Sequence, residues 1–203
     1  MMTMVSPAVG PVRAASADLL APNCKTSLTS VLGTQALLFY RLDEREHRRR
    51  RRSSASQIDS WATLETLMEL PVGEAVPLAS IPNEERKRIR SLPSWVAHRD
   101  QRMVLRHAVR PLSLDLAVVK VSNWRRGLEL AGRFAPYCRR AMLLERAPTQ
   151  IDEVMMEASF YGIGILVGTG DNVEMLLEPR PYRPERHTAA AWQFIEQLYA
   201  QLT

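Results

Sequence analysis

An apolar run over residues 114–121, interrupted by Asp115 and Lys120, dominates the hydrophobic pattern of this chain. The run is rich in Val and Leu and has the length of a strand that is covered on both faces. Two good N-cap residues, Ser122 and Asn123, follow it directly, and apolar residues then recur at helical spacing. The pattern predicts a buried strand, a polar turn and an amphipathic helix.

The rest of the carboxy-terminal half alternates between strand-length apolar runs and apolar residues at helical spacing. Three further short apolar runs predict strands, at residues 141–144, 163–167 and 173–177. Apolar residues at helical spacing predict a helix after Thr149 and another after Glu185, and the GTGDN segment predicts a hairpin turn. The order of elements favours an α/β fold with a mixed central sheet flanked by helices.

Helical spacing over residues 58–68, ended by Pro71 and Gly73, predicts the first helix of the folded part. EERKRIRSL, residues 84–92, places acids before bases and predicts a short exposed helix. Residues 94–108 fit a helix, although alternation after Met103 also fits a strand.

Residues 1–55 are rich in Ala, Pro, Ser and Thr, which predicts a disordered basic tail before a single α/β domain over 56–203. Within this tail, residues 28–42 are a candidate short helix. Basic residues number 27 against 22 acidic ones, for a net charge of +5, and one arginine block supplies the excess. The block consists of Arg48, Arg49, Arg50, Arg51 and Arg52. Such a block is either a solvated disordered run or a binding site for a polyanion, such as DNA, RNA or a membrane surface.

Cys24 and Cys138 are too few for a disulfide framework, and no His/Cys cluster predicts a zinc site. The apolar stretch over residues 31–40 is too short and too polar to span a bilayer. We therefore expect a cytoplasmic protein without membrane insertion, cofactor or bound metal. Its oligomeric state stays open.

The strand, turn and helix around Lys120 resemble the PD-(D/E)XK nuclease-like superfamily. The likeness is greater to short bacterial proteins in which the E-x-K strand runs into a K-x-S-N/D-W-R-R-A-L helix. Seven residues carry it: Lys120, Ser122, Asn123, Trp124, Arg125, Arg126 and Leu128. The resemblance, which extends in the order of elements to about residue 178, implies a restriction-endonuclease-like fold.

The chain departs from the motif at one position, because Val118 stands where the acid two residues before the lysine belongs. The resemblance therefore implies a catalytically degenerate domain with a vestigial Lys120, binding nucleic acid or a partner protein. The phosphate-contacting residues would be Lys120, Ser122, Asn123, Arg125 and Arg126.

The sequence also allows two alternatives. In an active nuclease, a relocated acid would hold Mg²⁺, either Glu129 or an acid of the first helix, Glu65 or Glu69. In a structural or regulatory interaction domain, Lys120 would be an ordinary lysine at a strand end.

Overall fold

A computed structural model describes residues 9–55, 57–169, 172–184 and 186–203. The chain divides into two compact units. Unit 1 contains the described residues before Leu42 together with Leu114–Pro184, and unit 2 contains Leu42–Ser113 and the residues after Pro184. The domain start predicted at residue 56 falls within the span of unit 2, at a position outside the described residues.

Unit 1 is built on a six-stranded sheet in the order β1-β2-β6-β7-β8-β9. The strands are β1 (Lys25–Val31), β2 (Thr34–Leu42), β6 (Leu112–Val121), β7 (Arg139–Leu144), β8 (Gly164–Thr169) and β9 (Asn172–Leu177). Its helices are α1 (Val9–Ala15), α5 (Trp124–Gly132) and α6 (Ile151–Tyr161), with a 3₁₀ turn at Ala17–Leu19.

The sheet mixes parallel and antiparallel pairs. β6 and β7 are parallel, as are β7 and β8, whereas β8 pairs antiparallel with β9 and β1 with β2. The two parallel pairs need crossovers, and α5 and α6 supply them. The prediction of an α/β fold with a mixed sheet flanked by helices is confirmed.

Both faces of the sheet are covered, as the apolar run of β6 predicts. On one face, Leu116, Val118 and Leu143 form a core with Val12 of α1. On the other, Met142 and Val121 lie against Gly127 of α5. Leu143 and Met142 thus point to opposite faces because side chains alternate along a strand.

Unit 2 has a three-stranded antiparallel sheet in the order β3-β5-β4. Its strands are β3 (Ala75–Pro77), β4 (Ala97–Arg99) and β5 (Met103–Arg106). Its helices are α2 (Glu44–Arg52), α3 (Trp61–Glu69), α4 (Asn83–Ser91) and α7 (Ala189–Leu202), with a 3₁₀ turn at Leu78–Ser80. The helices predicted near 58–68, at 84–92 and at the carboxyl end are confirmed.

The core of unit 2 surrounds Trp192 of α7, which is 1% exposed and packs with Leu64, Leu67 and Ile89. Arg106 of β5 lies over the Trp192 ring, with its guanidinium carbon 4.7 Å from the ring centroid. Its Nη1 donates to the carbonyl oxygen of Leu67 at 2.5 Å. Arg106 therefore places a cation at the carboxyl end of α3, where the helix dipole favours it.

The prediction of a disordered tail is wrong for residues 9–55, which form α1, β1, β2 and α2. β1 and β2 are a hairpin in the large sheet, so a helix over 28–42 is wrong as well. Residues 1–8 lie outside the described residues.

Two smaller predictions concern loops and hairpins. Residues 97–99 and 103–106 form β4 and β5, so the strand alternative after Met103 is confirmed and the helix predicted before it is wrong. The GTGDN turn includes residues 170 and 171, which the structure does not describe. Among the described residues, no helix combines the length and the apolar composition needed to cross a membrane.

Candidate functional site

Lys120 lies one residue before the end of β6, on the face of the sheet that carries Val118. The next residue, Val121, faces α5: a Cβ atom on Gly127 would come 2.9 Å from Val121 Cγ2. Side chains alternate along a strand, so Lys120 points to the face opposite α5. Lys120 and α5 therefore lie on opposite faces of the sheet.

The partner of Lys120 is Glu145, whose Oε1 lies 3.0 Å from the lysine Nζ. Glu145 follows β7, and in the parallel register Lys120 lies opposite Leu143 of that strand. The Lys120 side chain is 27% exposed and that of Glu145 56%, so water reaches both. An ion pair this exposed contributes about 1 kcal/mol or less.

Asn123 caps α5, as the sequence predicts. Its Oδ1 accepts hydrogen bonds from the backbone N–H groups of Arg125 at 2.9 Å and Arg126 at 3.3 Å. Ser122 is exposed beside it. Because the cap satisfies these two N–H groups, they are not free to hold a phosphate.

The arginines of the first turn of α5 are also paired. Arg125 Nη2 lies 3.0 Å from Glu153 Oε1, and its guanidinium carbon is 4.2 Å from the centroid of the Trp124 ring. Arg126 forms an ion pair with Glu129, one turn later. Every cation predicted at this edge of unit 1 therefore has an acidic partner.

Glu129 lies between two arginines of its own helix. It accepts hydrogen bonds from Arg126 and from Arg133, whose Nη2 is 2.8 Å from Glu129 Oε1. These bonds, together with the positive charges, lower the pKa of the Glu129 carboxyl. The acid next to Lys120 is Glu145 instead. In the sequence, Glu145 could have been found as the acid that directly follows β7, the parallel neighbour of β6.

The residues around Lys120 do not fit Mg²⁺. A hard divalent cation takes about six oxygen ligands, usually including more than one carboxylate or phosphate. Glu145 is the one acid paired with Lys120 in the described part of the chain, and the ammonium occupies it. Across residues 9–55, 57–169, 172–184 and 186–203, no three His, Cys, Asp or Glu side chains converge as metal ligands.

The acids of the first predicted helix, Glu65 and Glu69, lie on α3 in unit 2. They line an open groove of about 750 Å³. The exposed Trp61 lies on the same wall, and Arg88 of α4 and His187 also line the groove. The groove carries charges of both signs, so it does not select a ligand by charge.

The arginine block is a helix with two different sides. Asp43 caps α2 by accepting a hydrogen bond from the backbone N–H of Glu46 at 2.8 Å. Arg50 turns inward and is 1% exposed, and Glu46 beside it is also buried. Arg50 Nε donates to Glu46 Oε1 at 2.8 Å. The expectation of a solvated disordered run is therefore wrong for this block, and Arg50 is buried.

Glu196 of α7 completes a buried charged cluster that the sequence did not predict. Its carboxylate accepts from both terminal nitrogens of Arg50, at 2.6 and 2.7 Å. Trp192 Nε1 and the backbone N–H of Ile58 donate to the same carboxylate, at 2.9 and 3.2 Å. The signal was present as an acid on the apolar face of α7, four residues after Trp192.

The outward side of α2 carries the other arginines. Arg45, Arg48, Arg51 and Arg52 are exposed. Arg48 Nε donates to the carbonyl oxygen of Glu44, and none of the four forms an ion pair with a residue that the structure describes. Arg49 differs from them because it contacts Glu46 and the carbonyl oxygen of Trp95. The buried cluster thus fixes a helix that presents four uncompensated guanidinium groups to solvent.

No family of known proteins, no curated protein and no solved structure matches this chain.

Proposed function

We propose that this protein binds nucleic acid through the outward arginines of α2 and does not cleave it. In this proposal unit 1 is a degenerate nuclease-like domain of the restriction-endonuclease-like type, on the strength of the resemblance around Lys120. The binding function does not depend on that resemblance. It depends on the charge distribution of α2.

The observation that carries the proposal is the set of four exposed arginines, Arg45, Arg48, Arg51 and Arg52, on one short helix. Guanidinium groups without acidic partners attract phosphates and release condensed counterions when they bind them. A disordered arginine run loses chain entropy on binding, whereas α2 is already ordered by Arg50 and Glu46. An anchored arginine surface is therefore well suited to a phosphate backbone.

The edge of unit 1 supports binding less well. Lys120, Arg125 and Arg126 each face a carboxylate, from Glu145, Glu153 and Glu129. A phosphate would have to displace or approach those acids, which opposes the attraction. The expectation from the sequence, that these residues contact phosphates, stays a prediction. It can be tested in the same experiment as binding through α2.

The test compares two variants by fluorescence anisotropy with DNA and RNA oligonucleotides over a salt series. The first variant replaces Arg45, Arg48, Arg51 and Arg52 by Gln. The second replaces Arg125 and Arg126 by Gln. Each lost phosphate contact lowers the slope of log K against log salt by about 0.9 for duplex DNA, so the first variant should lose between about 3 and 4. The second should bind almost as the wild type does.

Arg50 must stay in both variants, since its removal would leave Glu196 buried without a cation and confuse unfolding with lost binding. Circular dichroism checks that both variants fold. An unchanged slope in the α2 variant, or no binding by the wild-type protein, contradicts the proposal.

A protein partner is the second candidate function, favoured by one observation on α6. Met156 and Phe160, four residues apart, are 69% and 75% exposed, and Tyr161 beside them is 53% exposed. Adjacent exposed apolar side chains of this size are typical of interaction surfaces. A protein that binds the wild-type chain and not the Phe160→Asp variant would support this candidate. Equal binding to both would exclude α6 as the contact.

A further inference from the structure

A second basic surface in unit 2 combines α4 with the hairpin of β4 and β5. Residues 83–102 contain six basic side chains and three acidic ones. The basic residues are Arg86, Lys87, Arg88, Arg90, Arg99 and Arg102. All except Arg86 are exposed. One helix and one hairpin turn therefore present this excess of positive charge to solvent.

α4 is anchored on one side and open on the other. Ile89 is fully buried, and Arg86 donates to the carbonyl oxygens of Ala79 at 3.3 Å and Ile81 at 2.8 Å. These bonds fix the two-residue link between the 3₁₀ turn at Leu78–Ser80 and α4. The opposite stripe is exposed and comprises Glu84, Lys87, Arg88 and Ser91, at the spacing of one helix face.

The hairpin is tied to both ends of this helix region. Arg99 Nη1 donates to the carbonyl oxygen of Leu92, just after α4, at 2.5 Å. The N–H of Leu78, before α4, donates to the carbonyl oxygen of Arg102 at 2.7 Å. Asp100 shapes the turn itself by accepting from the N–H groups of Arg102 and Met103, both at 2.7 Å. The turn and the helix thus form one ordered surface.

We propose that α4 docks in the major groove of duplex DNA and that the β4–β5 turn contacts the adjacent phosphate backbone. This inference rests on the proposed function and names its substrate class. A nine-residue helix is about 13 Å long and 10–12 Å wide, which fits a major groove about 12 Å wide. The corresponding groove of A-form RNA is too narrow for a helix.

The charges assign different roles along the surface. Arg88, Arg90 and Arg102 form no ion pair with any residue that the structure describes, so each is available to a phosphate. Lys87 is paired with Glu84, at 2.7 Å between Nζ and Oε1. Glu84 is the one acid on the exposed stripe, and it repels the phosphate backbone. Its removal should therefore strengthen non-specific binding and free Lys87.

The experiment uses the full-length protein and a mixed-sequence duplex of about 20 base pairs, roughly two helical turns. Arg88, Arg90 and Arg102 are replaced together by Gln, Glu84 is replaced by Gln, and the control replaces the exposed Arg146 and Arg183 of unit 1. The triple variant should lose up to about 2.7 from the salt slope, at about 0.9 per contact, and part of its preference for duplex over single strands. Glu84→Gln should bind the duplex several-fold more tightly.

Unfolding cannot raise the affinity for duplex DNA. The higher affinity expected of Glu84→Gln therefore tests the inference even if the triple variant fails to fold. Duplex binding that is unchanged in both the triple and the Glu84→Gln variant overturns this inference. If the α2 variant loses binding while these two do not, the proposed function stands and only the role of α4 fails. Equal affinity for DNA and RNA duplexes also overturns the inference. No nucleic-acid binding by the wild-type protein removes both proposals.

Discussion

Arg50 and Glu196 join the two ends of unit 2 through a bidentate ion pair. The two terminal nitrogens of the Arg50 guanidinium lie 2.6 and 2.7 Å from the two carboxylate oxygens of Glu196, and both side chains are 1% exposed. Arg50 also lies against the rings of Trp95 and Tyr199, at 5.1 and 5.2 Å from their centroids. An arginine from a run that looks like a solvated tail is therefore a buried structural residue.

Replacing Arg50 by Ala should lower the free energy of unfolding of unit 2 by about 3–5 kcal/mol, because Glu46 and Glu196 would keep buried charges without a cation. Urea unfolding followed by tryptophan fluorescence measures this, since Trp61, Trp95 and Trp192 lie in unit 2. Arg48→Ala on the exposed side of the same helix is the control and should change stability by less than about 0.5 kcal/mol. Equal effects of the two substitutions would contradict the buried role of Arg50.

The part of the fold that the sequence predicted best is the part with strong hydrophobic periodicity. The run at β6 and the helical spacing after Asn123 both correspond to observed elements, β6 and α5. The mixed sheet also followed from the order of these elements. Local patterns suffice on the face that α5 covers, because α5 directly follows β6 in the chain. The other face packs against Val12 of α1, which is distant in sequence and was not predicted.

Of the two amino-terminal strands, β1 has only a weak pattern, whereas the buried apolar run of β2 at residues 36–40 fits a helix or a strand by periodicity alone. β1 carries Thr and Ser at most positions, none of its seven residues is fully buried, and it is held in the sheet by pairing with β2. The turn between them places Leu32 and Gly33 at φ values of 53° and 71°. Such a two-residue turn requires positive φ at both positions, and Leu is an uncommon residue there. The ion pair between Arg50 and Glu196 was missed because charges separated by 146 positions show no local sign of pairing.

Gly127 tests how closely α5 packs on the sheet. A Cβ atom there would come 2.6 Å from Met142 Sδ and 2.9 Å from Val121 Cγ2, a stiff β-branched side chain. Gly127→Ala should therefore destabilise unit 1 by about 1–2 kcal/mol, even though alanine favours a helix by about 1 kcal/mol. Labelling of Cys24 and Cys138 in urea reports on this unit, because both thiols are buried in it.

Gly132, at the last position of α5, is the matched control. A Cβ atom there meets no described atom within 4 Å. Gly132→Ala should leave stability unchanged or raise it slightly through helix propensity. If Gly127→Ala behaves in the same way, the close approach of α5 to Met142 is not a packing constraint.

His107 should make the stability of unit 2 depend on pH. Burial, followed by the positive charge of Arg49, lowers the pKa of His107 below its usual 6.5. The unfolded chain therefore binds the proton more tightly than the native state does. The stability that His107 contributes is complete above 6.5 and is lost as pH falls through the lower native pKa.

Urea unfolding of the wild type and of His107→Gln, from about pH 8 to about pH 5, measures this dependence. The substitution should remove part of the stability loss on acidification, and His187→Gln, an exposed histidine of unit 2, should not. A wild-type profile that His107→Gln leaves unchanged would assign the pH dependence to other groups.

The protein should not cleave nucleic acid in the presence of Mg²⁺ or Mn²⁺. Metal-dependent hydrolysis of a phosphodiester needs convergent carboxylates that hold the metal and position water. Lys120 faces the single carboxylate of Glu145, and Val118, where the motif has its acid, is 2% exposed in the core of the sheet. Restoring the motif by Val118→Glu would therefore bury a carboxylate and destabilise unit 1 rather than build a metal site.

Incubation of the wild type with single- and double-stranded DNA and RNA, in parallel with Lys120→Ala and Glu145→Gln, tests this prediction. Lys25→Ala, at the exposed first position of β1, is the control for loss of a lysine elsewhere. Cleavage that persists equally in all four proteins comes from a contaminant or from a site that does not use Lys120. Metal-dependent cleavage by the wild type that both Lys120→Ala and Glu145→Gln abolish would contradict the prediction, because it would make the ion pair between β6 and β7 part of an active site.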